Sequence, residues 1–146
     1  MTPYLRTALI GLAMAGLAGT LPAAAETMTY SATLSSSSEV PPNTGGGSGT
    51  LTATYNTTTK ALTWEGTYKG LSGPPIAAHF HGPAAPGNDA PVLVPAAMTS
   101  TPFKGAATLT AAEAQDLADG KVYFNIHTAA HKGGEIRGQV MPASKG

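Results

Sequence analysis

The chain has 146 residues, the length of about one domain, with 8 Lys+Arg against 8 Asp+Glu and only 11% charged residues, where a typical soluble domain has about 25%. A neutral chain this poor in Lys and Arg cannot neutralise a run of phosphates, which excludes nucleic acid and an anionic membrane surface as partners. There is no cysteine, so disulfides, thiolate metal sites, iron–sulfur clusters and thiol nucleophiles are all excluded.

The N-terminus reads as a secretory signal peptide. Arg6 precedes the apolar run Ala8–Gly19, and Ala23-x-Ala25 fits the small-residue cleavage rule. The 12 residues of that run fall short of the roughly 20 needed to span a bilayer. Cleavage is expected after residue 25, leaving 26–146 as the mature domain, with no membrane span and a periplasmic or secreted location. Loss of Arg6 takes Lys+Arg from 8 to 7 against 8 Asp+Glu, a formal charge of −1.

Period-two alternation of apolar and polar residues then predicts strands in chain order. Met28, Tyr30, Ala32 and Leu34 share one face of the first. Residues 35–48 carry Pro41-Pro42 and Gly45-Gly46-Gly47, the composition of a flexible surface loop. Leu51, Ala53 and Tyr55 mark a second strand, and Leu62, Trp64, Gly66 and Tyr68 a third, joined through Asn56–Lys60 as a hairpin. Further strands are expected at Ile76–His81, Val92–Val94, Phe103–Leu109, Lys121–Thr128 and Glu135–Met141. One helix, Ala111–Asp119, starts at a Thr110-x-x-Glu113 capping box and stops at Gly120. The fold class is therefore all-β, a Greek-key antiparallel β-sandwich or barrel with one short helix in a connection.

All four histidines fall in two windows, His79/His81 and His127/His131. Residues two apart on a strand share a face, so His79 and His81 point together while Phe80 points into the core. His127 shares a face with Tyr123 and Asn125, opposite Val122, Phe124 and Ile126. Three imidazoles converge if the two strands are neighbours. A His-x-His pair before Gly82-Pro83 is otherwise an ordinary strand end. His131 lies in a loop, as a fourth ligand, a mobile gate or a solvated side chain. An imidazole set suits Cu(II) first and Zn(II) second; calcium and magnesium want oxygen. Asp89, Glu135, Met28, Met98 and Met141 are supplementary donors only in principle, each better read as a surface charge or a core side chain. No Gly-x-Ser-x-Gly elbow or phosphate-binding glycine loop before a helix occurs, so any activity is expected to be copper-dependent redox chemistry and not hydrolysis.

Ser38-Glu39-Val40-Pro41-Pro42, Leu71-Ser72-Gly73, Ala78-His79-Phe80-His81-Gly82-Pro83-Ala84, Leu109-Thr110, Tyr123-Phe124-Asn125-Ile126-His127-Thr128-Ala129 and Gly133-Gly134-Glu135-Ile136-Arg137-Gly138-Gln139, in that order, resemble the CHRD domain, repeated in chordin and single in many exported bacterial proteins. His131 stands where the family often has Tyr. The family is similar in architecture to the copper/zinc superoxide dismutase sandwich, and the resemblance implies a copper-type site at His79, His81 and His127. It does not imply dismutase activity, because no His lies between His81 and His127 to bridge a second metal. The resemblance leaves two readings: an exported copper-binding protein for storage, delivery or redox chemistry, or a non-catalytic extracellular interaction module with structural histidines and a protein partner.

Overall fold

The computed structural model describes residues 25–97 and 100–143; residues 1–24 of the expected signal segment and Met98 lie outside the described residues. Among the described residues eight strands form the fold: β1 (Thr27–Ser35), β2 (Ser48–Asn56), β3 (Ala61–Lys69), β4 (Pro75–His81), β5 (Val92–Ala96), β6 (Phe103–Thr108), β7 (Val122–Thr128) and β8 (Ile136–Pro142). One α-helix, α1 (Ala111–Ala118), occupies the connection from β6 to β7. Thr110 Oγ1 accepts from Glu113 N, and the Glu113 carboxylate accepts from Thr110 N, which completes the capping box. Gly120 takes a positive φ at the helix exit, the left-handed geometry that glycine adopts most easily.

All strand pairs are antiparallel, in the order β5-β4-β7-β8-β1-β2-β3-β6. The meander β1-β2-β3 with β6 forms one half of a strongly curved sheet, and β5-β4-β7-β8 forms the other. The connections from β3 to β4, β5 to β6 and β6 to β7 pass between the halves, as in a Greek key. The result is an all-β, nearly closed barrel-like sandwich. Among the described residues, no helix is long and apolar enough to cross a membrane.

The core lies between the inner faces of the two halves, where the period-two residues meet. Trp64 of β3 packs edge-on against Phe80 of β4 with centroids 5.0 Å apart, and Phe80 does the same with Phe124 of β7 at 4.8 Å. Phe103 of β6 stacks on Phe124 at 5.7 Å. Gly105 of β6 lies against the Trp64 indole, where a Cβ would collide with the ring, so the indole fills the space a side chain would occupy.

One feature departs in part from the sequence expectation, and a second goes beyond it. The segment between β1 and β2 keeps Pro41-Pro42 and Gly45-Gly46 exposed, as a surface loop would, but it is packed at its ends: it opens with a 3-10 turn at Ser36–Ser38 and buries Ser36 and Glu39. Asn43 Nδ2 ties it to Glu135 O at 3.1 Å. β7 is also buried on both faces from Val122 to Thr128, although its polar face alternates as a solvated one would. Loops cover that face, and the histidines lie beneath and beside them.

Candidate metal centre

β4 and β7 are hydrogen-bonded neighbours, with Ala77 opposite His127, His79 opposite Asn125 and His81 opposite Tyr123. This register places His79, His81 and His127 on one outer face, because each strand sends its apolar residues to the core. His79, His81 and His127 each offer a nitrogen within 4.8 Å of the others. His79 is half-buried, and His81 and His127 are buried at 8% exposure. His131 stands outside this group of three; its backbone closes a turn in which His131 N donates to Thr128 O at 3.1 Å and Gly134 N to His131 O at 3.1 Å.

The rings are oriented by backbone carbonyls. His81 Nδ1 donates to Ala90 O at 2.9 Å, and His127 Nδ1 donates to Lys132 O at 2.9 Å. Each bond commits the Nδ1 proton and leaves Nε2 as the lone-pair nitrogen, the outer-shell arrangement usual for metal-bound histidine. His79 Nδ1 lies 3.1 Å from His127 Nε2. At a metal–nitrogen distance of about 2.0–2.1 Å, two tetrahedral ligands stand about 3.3 Å apart, so this pair is already spaced for one ion. His81 Nε2 lies 3.1 Å from Asn125 Oδ1; with the ring proton committed to Ala90 O these are two acceptors, so the neutral ring requires the Asn125 amide turned with its NH2 toward Nε2.

The surroundings favour neutral imidazoles, the form that ligates. Burial lowers the pKa of His79, and the neighbouring His127 and His81 lower it further. Burial also lowers that of His127, opposed by its bond to Lys132 O and helped by His81. No carboxylate belongs to the group of three. Asp89 is exposed and pairs with Arg137 at 3.0 Å, Met28 is partly buried against the core, and Met141 is exposed.

Glu135 is neither a surface charge nor a ligand of the three-histidine group. It is 1% exposed and accepts from Ser72 N and Ser72 Oγ, each at 2.7 Å, and from Thr128 Oγ1. Burial raises its pKa, but the bonds from Thr128 and Ser72 outweigh that and hold it below the ordinary value. This carboxylate straps the turn carrying Lys132 O and His131 to the segment before β4.

Arg137 and Glu39 are the buried charges that sequence reasoning missed. Both sit in segments whose pattern reads as solvated, so only their place in the quoted motifs signalled them. Arg137 is 2% exposed and lies over the Tyr123 ring, its Cζ 3.4 Å from the centroid. Glu39 packs against Gly134, with its Oε1 unpartnered. Burial pushes its pKa up to about 7, against the pull of Arg137 and with a push from Asp89.

The family model of the CHRD domain matches residues 30–140. The chain belongs to the CHRD domain family. The match runs from β1 into β8, so the whole described barrel is this CHRD domain, with the three histidines inside it. Comparison with curated proteins and with solved structures yields no match.

Proposed function

We propose that this CHRD domain binds one copper ion through His79, His81 and His127, with His131 or water completing the site. The convergence of three nitrogens, two of them with Nδ1 committed to a carbonyl, carries the reading. An imidazole-only set binds Cu(II) most tightly among the first-row divalent ions, with Zn(II) the second candidate. The ion would supply a redox-active or transferable centre, and the protein's part is to bring three imidazole nitrogens together, with burial favouring the neutral form of His79 and His127. The signal segment supports an exported protein of the periplasm or the extracellular space, where such a site serves copper storage, delivery or redox chemistry.

Titration of the metal-free protein with Cu(II), followed by EPR, tests this. Nitrogen-ligated Cu(II) bound much more tightly than by a His79→Ala/His81→Ala variant is expected, and equal binding by the two would overturn the reading. The nitrogen count in the spectrum of His131→Ala decides between His131 and water.

Family membership favours a second reading, because the CHRD domain is an extracellular-type module. A non-catalytic interaction domain with structural histidines shows no rise in Tm with copper, zinc or nickel, whereas a ligand bound only by the native state must raise it.

A further inference from the structure

We propose that Arg137 is a positioning residue for His81, fixing which imidazole nitrogen that ring presents; the proposal rests on the metal-binding reading of the three histidines. Arg137 belongs to β8, one strand beyond β7, and does not belong to the histidine group. Its two terminal nitrogens donate to consecutive residues of the loop after β4: one to Asn88 O at 2.6 Å, the other to Asp89 Oδ1 at 3.0 Å. The next residue, Ala90, supplies the carbonyl that accepts from His81 Nδ1 at 2.9 Å.

A second route reaches the same ring. The face of the guanidinium covers Tyr123 at 3.4 Å, and the Tyr123 ring lies parallel to His81 within 3°, with centroids 4.8 Å apart. The Tyr123 hydroxyl closes the circuit, accepting from Ala90 N at 3.2 Å and donating to Ala90 O at 3.4 Å. Guanidinium, phenol and imidazole therefore form one stack, and the loop that orients the imidazole is pinned by the same guanidinium.

Stability alone does not account for an arginine here. Withdrawing a guanidinium from water is costly, and a buried ion pair is often no better than an apolar residue of similar volume. Asp89, 65% exposed at its side chain, offsets little of that cost. A guanidinium differs from an apolar side chain in its fixed fork of donors and its flat cationic face, and this site uses both. With Ala90 O held in place the His81 proton stays on Nδ1 at 2.9 Å, and the Nε2 lone pair faces the Asn125 side-chain amide 3.1 Å away, whose NH2 must turn toward it.

The test compares wild type with Arg137→Met, which keeps the volume and removes fork and charge. In metal-free, nitrogen-15-labelled protein, the wild type should show slowly exchanging Nδ1–H signals for both His81 and His127. Arg137→Met should speed exchange at His81 at least about ten-fold and leave His127, bonded to Lys132 O, unchanged as the internal control. Copper affinity should fall about 10- to 100-fold, the usual effect of losing an outer-shell partner. That loss should vanish when Arg137→Met is made in a His81→Ala background.

An unchanged His81 signal, loss of both imidazole signals together, or an equal affinity loss without His81 overturns the proposal. If Arg137→Met does not fold, Asp89→Ala, an exposed change, should give the same pattern at smaller size, and no effect there also overturns it. A wild type that binds no copper defeats the proposed function, and the imidazole exchange comparison still decides the role of Arg137.

Discussion

His79 Nδ1 faces His127 Nε2 at 3.1 Å, and the two nitrogens share a single proton when both rings are neutral. The direction of that bond follows from the rest of the site. His127 has committed its Nδ1–H to Lys132 O, so its Nε2 accepts and His79 Nδ1–H donates. A metal bound by both of these nitrogens would displace that proton.

Copper binding should therefore compete with protons, and the competition should set in at low pH. Burial lowers the pKa of His79 and of His127, so both rings stay neutral below the ordinary histidine value of about 6.5. Cu(II) titrations from pH 4.5 to 7.5 should show affinity nearly constant down to about 6.5 and falling below it. A fall that begins above pH 7 would contradict the burial argument.

The metal-free fold should carry two opposing pH dependences. A histidine with a lowered pKa binds fewer protons in the native state, so its contribution rises with pH through the histidine range. Glu39 works the other way. With its pKa raised to about 7, its neutral form favours the fold, and stability is lost as pH rises from the unfolded carboxyl range through 7. Glu39→Gln should be more stable than wild type at pH 8 by about 2 kcal/mol, with the gap closing toward pH 4.5. Urea unfolding at the two pH values checks the sign.

The strap at Glu135 should be a stability element. Ser72→Ala removes the hydroxyl that donates to Glu135 Oε2 at 2.7 Å, and a hydrogen bond to a charged group contributes about 1.5–3 kcal/mol. A loss of that size should appear at neutral pH and shrink in acid, as the carboxylate protonates in native and variant alike. An unchanged urea midpoint at pH 7 would show that the strap carries no load.

Gly105→Ala should disturb the core from the edge strand. The added methyl meets the Trp64 indole, and overpacking costs about 1–3 kcal/mol. Trp64 is the only tryptophan, so its emission reports directly on any displacement. A wild-type spectrum together with a wild-type Tm would mean that the indole has room to move aside.

The strands, the helix and its capping box were legible because each depends on neighbours in sequence. Leu62, Trp64 and Gly66 alternate with exposed residues and lie on the buried face; Thr110 and Glu113 are a helical turn apart and cap each other. The pointing of His79, His81 and His127 away from the core was legible for the same reason. The residues from Ser36 to Gly47 were not: proline and glycine mark a segment without regular structure, and only a neighbouring surface decides whether it is packed or solvated. Glu135 and Arg137 followed the same rule, since a charged residue on an outer face reads as solvated until a loop covers it.

By itself, then, the sequence determined the all-β class, the membership in a recognisable domain family and, through the absence of cysteine, the exclusion of thiolate ligands. Those follow from composition and from a backbone period of two. The tertiary structure decided that β4 and β7 are neighbours, at a register that sets Ala77 against His127, and so that three imidazoles meet. It also decided which nitrogen of His81 and of His127 is committed to a backbone carbonyl, because Ala90 O and Lys132 O come from loops that local sequence cannot place. Strand pairing and loop closure are long-range choices, governed by how the whole apolar surface is buried, and no window of a few residues contains them.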